Sequence, residues 1–185
     1  MRLSQDLEHF LVNPYGLLYS EITAAALLKA DMQGNTVSPG CTGLGLNGAS
    51  YAKHAAVHAA RPDLRCVLHV QEPAVVTVSA LRHGLLPLTE HACALGEVSV
   101  HRPPADGSDP EHQRLTRDLG VHNKVMLLQN RGALCCGETI EEAFFLLSHL
   151  VAACKNQVSG GPPPLACRVA GWERCRVLCE ELAFQ

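Results

Sequence analysis

An apolar run, Cys66-Val67-Leu68, leads into His69-Val70-Gln71 and is followed by Glu72 and Pro73. Side chains on a strand alternate faces, so His69 and Gln71 project the same way. Two histidines at that spacing would chelate a divalent metal, but this chain has His-x-Gln. An amide oxygen is an acceptable ligand for hard cations and a weak one for Zn²⁺ beside a single imidazole. His54 and His58 lie four residues apart on a helical pattern and share its face with Tyr51 and Ala55. That spacing can hold a metal, and it equally describes two half-buried helix histidines. Cys135 and Cys136 adjoin on a strand and face opposite sides, so neither a disulfide nor a two-thiol site is expected. His83, His91 and His101 have no spacing that reads as a site.

These residues need elements to position them. Leu64 to Val70 reads as a central buried strand, and Pro73 opens a helix that runs to about Leu81. Upstream, Phe10 to Val12 is a short strand and Asn13-Pro14-Tyr15-Gly16 a turn. Residues 1–8 are polar. Glu21 to Ala25 gives about one helical turn. Ala26 to Asp31 and Thr36-Val37 form a hairpin with Gln33-Gly34-Asn35 at its tip. A Gly-rich loop, 39–48, precedes a helix that Asn47 caps and Arg61-Pro62 ends. Downstream come a strand at Gly96–Val100, a loop at 102–109, and a helix from Asp109-Pro110 to Gly120. Strands at 124–129 and 133–136 flank a turn at Arg131-Gly132. Thr139-Ile140-Glu141-Glu142 is a capping box. The helix behind it places Ile140, Ala143, Phe144, Leu147, Leu150, Val151 and Cys154 on one face. Residues 159–164 read as a Pro/Gly linker, and Trp172, Cys175, Leu178, Cys179 and Leu182 as a weak amphipathic helix. Strands alternating with helices indicate an α/β layered domain over 1–157, with a linker and tail over 158–185.

The bulk numbers set limits. At 185 residues, 47% hydrophobic and 18% charged, the chain is an ordinary globular domain with a substantial core. A net charge of -3, with no basic stripe, excludes a nucleic-acid footprint. Apolar runs break within about ten residues, so none spans a bilayer. Met1-Arg2-Leu3-Ser4 is followed by charge, so no signal peptide is expected. Nine cysteines without a Cys-x-x-Cys pair then read as reduced, mostly buried thiols in a cytoplasmic chain.

An ordered series of segments resembles the adducin head domain of the class II aldolase/adducin superfamily. It comprises His9–Tyr19, Lys29–Gly34, Ala59–Asp63, Val78–Ala80, Gly84–Pro87, Leu95–Val98 and Gly137–Phe144. The resemblance implies a three-layer α/β/α sandwich around a mainly antiparallel sheet, and an oligomer. The family's N-terminal helices and first strand find no counterpart before Met1, and their loss would uncover a sheet edge.

The family's enzymes split or epimerise small sugar phosphates with Zn²⁺ held by a His-x-His pair and a third His. The resemblance maps those ligands onto His69, Gln71 and Arg131, the last in Asn130-Arg131-Gly132. It maps the acid/base Glu onto Ser50 and the phosphate-side serines onto Gly48 and Ala49, with Gly16 retained. Arg131 would set a permanent cation where Zn²⁺ should sit, so no zinc or other cofactor is expected. Its guanidinium either fills the vacated site, bonded to Gln71 or Glu72, or swings out to solvent. The implied function is a non-catalytic domain acting by self-association or as a scaffold for adducin-like chains. Association with actin and spectrin at the membrane skeleton follows by analogy. The alternative is a metal-dependent aldehyde-lyase or epimerase.

Overall fold

The computed structural model describes residues 1–4, 8–103 and 111–160. Eight strands and five α-helices follow in order: β1 (Arg2–Ser4), β2 (His9–Val12), β3 (Leu28–Ala30), β4 (Thr36–Ser38), α1 (Gly48–Ala60), β5 (Cys66–Val70), α2 (Pro73–Ala80), α3 (Glu90–Cys93), β6 (Val98–His101), α4 (Glu111–Leu119), β7 (Val125–Leu128), β8 (Gly132–Gly137) and α5 (Ile140–Ser159). Two 3₁₀ turns, Tyr19–Glu21 and Ala24–Ala26, lie between β2 and β3.

The strands form two four-stranded sheets, β1-β2-β3-β4 and β5-β8-β7-β6. All pairings are antiparallel except β6 with β7. The sheet is therefore mainly antiparallel but in two parts, and β5 ends its part rather than lying at the centre. The Arg2 amide donates to the Arg65 carbonyl at 2.7 Å and joins the parts.

The second sheet is the middle layer of an α/β/α sandwich. Alternation of side chains along each strand assigns them to two cores. Val125, Leu127, Ala133 and Cys135 pack with Val75, Val78, Leu146 and Leu150, under α2, α3 and α5. Met126, Leu128, Leu134 and Cys136 pack with Val57, Leu115 and Leu119, under α1 and α4. Every residue of β7 and β8 is buried, which their unbroken apolar runs require. A third cluster, Phe10, Ala30 and Tyr51, ties α1 to the first sheet. The Tyr51 hydroxyl adds a bond to the Asp31 carbonyl at 2.7 Å.

Several expectations need correction. The polar start contains β1, whose pairing to β2 is not a local signal. α3 is an unpredicted four-residue helix, with Thr89 Oγ1 accepting from the Ala92 amide. Thr139 caps α5, but the Glu142 carboxylate accepts from the Glu138 amide and pairs with Lys124 instead of closing the box on Thr139. The buried face of α5 is Ala143, Leu146, Leu150, Ala153, Cys154 and Gln157, while Ile140 and Phe144 are exposed. α5 also runs through Ser159, past the boundary placed at 157. Cys41, Cys66, Cys135, Cys136 and Cys154 are free thiols, whereas Cys93 is disulfide-bonded. Burial pushes the Cys136 and Cys154 thiols up to about 12. The helix start at Asp109-Pro110, most of the 102–109 loop and the tail helix around Trp172 lie outside the described residues.

Candidate functional site

Asn47 opens α1 as expected, its Oδ1 accepting from the Ser50 amide at 3.1 Å. Ser50, His54 and His58 then fall one turn apart on one face of α1. His69 lies on the face of β5 that carries Val67, turned toward α1. The four line one cavity of about 320 Å³, with Asn13, Asn47, Phe10, Val12, Leu46, Tyr51, Val67 and Ile140 among the other walls.

Two of the imidazoles are held by backbone carbonyls. His58 Nδ1 donates to Leu64 O at 2.9 Å and its ring stacks on Phe10 at 4.7 Å. His69 Nε2 donates to Arg131 O at 3.0 Å. Burial is the first cause of depressed basicity in all three histidines, pushing His54 down to about 4 and His58 to about 3, with His69 lowered as well. All three are neutral at neutral pH.

The remaining predicted positions are not gathered there. Gln71 lies beyond the end of β5 and is exposed, as is Arg131. His69 meets Arg131 at the backbone carbonyl. Glu72, offered as a partner for Arg131, caps α2 by accepting from the Ala74 and Val75 amides, and its other oxygen lies 3.5 Å from Lys155 Nζ. Gly48 and Ala49 are the exposed first residues of α1. Gly16 adopts a φ of +99° in its turn, tied to the Gly-rich loop by the Tyr15 amide on Gly45 O.

A zinc ion does not fit these residues. One ring nitrogen of His69 is engaged on a carbonyl, Gln71 supplies only an amide, and Arg131 brings a fixed cation. Among the described residues, no three His, Cys, Asp or Glu side chains converge to hold a metal.

Two arginines organise the surroundings, Arg2, which the sequence did not single out, and Arg61, read there only as the end of a helix. Arg2 is buried beside Phe10 and its Nη2 donates to His58 O at 2.6 Å. Arg61 holds Asp63 in a two-bond fork at 2.8 and 2.6 Å, and its Nη1 donates to the Gly120 and Asn123 carbonyls. The Arg61-Pro62-Asp63 spacing was visible, but its carbonyl partners carry no side-chain signal.

Fold and site together define a class II aldolase-type domain, and the chain belongs to the class II aldolase and adducin N-terminal domain family, whose model matches residues 1–158. Among its relatives, Drosophila melanogaster protein hu-li tai shao is 55% identical over 157 residues, covering 85% of this chain and 14% of that protein. Rattus norvegicus alpha-adducin is 44% identical over 170 residues, covering 89% and 23%. The chain thus spans under a quarter of either relative. Two solved structures share the fold. An aldolase II superfamily protein from Pseudomonas syringae has a TM-score of 0.78 at 41% identity, covering 91% of this chain and 70% of that one. The L-fuculose 1-phosphate aldolase from Glaciozyma antarctica PI12 has a TM-score of 0.79 at 26% identity, covering 95% and 68%. Among the described residues, no helix is long and apolar enough to cross a membrane.

Proposed function

We propose that this is a non-catalytic adducin-like domain that acts by self-association and as a scaffold in a cytoplasmic, cytoskeleton-associated assembly. The carrying observation is the donor set at the family's metal positions: one carbonyl-bonded imidazole, one exposed amide and one guanidinium, with Ser50 in place of an acid/base Glu. Neither the Lewis acid nor the carboxylate that a family lyase uses has a residue to supply it. The relatives named adducin support the cytoskeletal side of the reading. Apolar surface supports association: Leu18 and Tyr19 are 68% and 79% exposed, and Phe144 and Phe145 stand out from α5.

Elemental analysis of chelator-free protein, followed by an L-fuculose 1-phosphate cleavage assay with added Zn²⁺, tests the catalytic side. Substoichiometric zinc and no cleavage are expected; one zinc per chain with turnover overturns the reading. Sedimentation velocity and co-sedimentation with spectrin and filamentous actin test the scaffold side. A strictly monomeric chain that stays in the supernatant when filamentous actin, with or without spectrin, is pelleted would sink it.

A further inference from the structure

Cys93 is disulfide-bonded, while the other five described cysteines, Cys41, Cys66, Cys135, Cys136 and Cys154, are free thiols. The chain has nine cysteines, so the partner of Cys93 within it is Cys167, Cys175 or Cys179. All three belong to residues 161–185, outside the described residues.

The chain has the reach for such a bond. α3 lies beside the middle of α5, where the His91 and His149 rings meet at 5.2 Å between centroids. From His149 to Gly160 the helix advances about 16 Å, at 1.5 Å per residue. Seven residues beyond Gly160, Cys167 can return over about 23 Å, and Cys175 and Cys179 over more.

The surface beside α3 is apolar and aromatic. The Phe145 and His149 rings stack at 4.1 Å, and Phe145 is 51% exposed. Leu88, just ahead of the Thr89 cap of α3, is 42% exposed. Residues 161–185 supply matching apolar side chains in Trp172, Val177, Leu178 and Leu182.

We infer that residues 161–185 form a covalent strap over the α3–α5 face, fastened by a disulfide from Cys93 to one of these three cysteines, with apolar side chains of the strap covering Phe145 and Leu88. Closure is a thiol–disulfide exchange with a small-molecule disulfide such as oxidised glutathione. One protein thiolate attacks a glutathione sulfur, forming a mixed disulfide and releasing one glutathione thiolate. The second protein thiolate attacks the protein sulfur of that mixed disulfide and releases the other. The two protein thiols are oxidised, the small disulfide is reduced to two thiols, and the two protons pass to those thiols. A dithiol reductant runs the exchange backwards. In a reducing compartment the strap is open, and an oxidising small-molecule disulfide shuts it. Closure needs no partner chain, so it stands or falls apart from self-association and cytoskeletal binding.

Trp172 is the chain's single tryptophan, so its fluorescence reports on the strap alone. The test equilibrates the 185-residue chain with oxidised glutathione or with dithiothreitol, and reads the emission and its quenching by acrylamide. Alkylation of the free thiols, digestion and mass spectrometry then identify the bond. The oxidised chain should yield the Cys93 peptide linked to one carrying Cys167, Cys175 or Cys179. Its emission should shift to the blue and its quenching constant fall, as the indole leaves water for the apolar face. Dithiothreitol should reverse all three. Phe145→Asp, at an exposed position, should keep the bond and lose most of the blue shift. Cys93→Ser should abolish the response. If that variant does not fold, the triple variant Cys167→Ser, Cys175→Ser, Cys179→Ser, which leaves residues 1–160 unaltered, should abolish it equally. A free Cys93 in the oxidised chain, a Cys93 bond to a second copy, Trp172 signals equal in both conditions, or a blue shift unaltered by Phe145→Asp overturns the inference.

Discussion

His69 Nε2 donates to the carbonyl of Arg131 at 3.0 Å, joining the end of β5 to the turn between β7 and β8. That turn is built to come close. Asn130 adopts a φ of 62° and Gly132 a φ of +92°, and a Cβ on Gly132 would lie 2.0 Å from Val70 O. No L side chain suits that φ, and the obstacle is backbone that cannot rotate away. Gly132→Ala should therefore destabilise the fold by about 2–4 kcal/mol in urea melts and shift the His69 ring signal. An unchanged midpoint would show that the turn is looser than its contacts imply.

Arg61 is buried and holds four hydrogen bonds, two to Asp63 and one each to Gly120 O and Asn123 O. It thereby locks the C-terminus of α1 to the connection between α4 and β7. Arg61→Ala strands two carbonyls and should cost about 3 kcal/mol. Arg61→Lys should recover little, because one ammonium cannot reproduce a planar fork with an additional donor toward the carbonyls. Full rescue by lysine would reduce the contact to simple charge.

Most of the layered fold is legible in the residues because its signals are local. Apolar runs give β7 and β8, Pro73 marks the first turn of α2, and Asn47 marks the start of α1. The misses have other causes. β1 is three residues long and exists only through pairing with β2. α5 carries apolar residues around its whole circumference, so periodicity could not choose between the face of Phe144 and that of Leu146. At the site, the i,i+4 spacing brought out His54 and His58, and the strand rule brought out His69. The strand was read to end at Val70, as β5 does, but Gln71 just beyond it does not share the direction of His69 and is exposed. The roles of Arg2 and Arg61 rest on backbone carbonyls, which no residue pattern announces.

His101 is 2% exposed, its Nδ1 lies 2.7 Å from Asp118 Oδ2, and its Nε2 has no hydrogen-bond partner among the described residues. The pair fastens α4 to the end of β6. Removing Asp118 alone leaves a second buried ring nitrogen unpaired, so Asp118→Ala should cost about 1–3 kcal/mol. The double variant His101→Phe, Asp118→Ala removes both polar groups and should recover much of that loss, measured as a non-additive pair in a double-mutant cycle. Simple additivity would show that the contact contributes nothing of its own.

The cavity histidines also set a pH dependence. An ordinary histidine titrates near 6.5, whereas burial lowers His54 to about 4 and His58 to about 3 in the folded chain. Above about pH 6.5 neither the folded nor the unfolded state binds protons at these rings, and they cost nothing. As pH falls below 6.5 the unfolded chain takes up protons that the native chain refuses, so stability declines. The slope approaches two protons near pH 5, with His69, lowered in the same direction, adding to it. It fades only as the native rings protonate near pH 4 and 3. Asp63, held below its ordinary value first by its hydrogen bond to Arg61, contributes stability that is lost only at lower pH, as it falls through the native carboxyl value. The main part of the histidine window, from pH 6.5 down to about 4, thus lies above the carboxylate one. Urea melts from pH 7.5 to 4.5 should show the decline, and His54→Gln and His58→Gln should each remove about one proton from the slope. Stability that stays level between pH 6.5 and 5, or a slope unaltered in both variants, would mean that the cavity rings are solvated in the native chain.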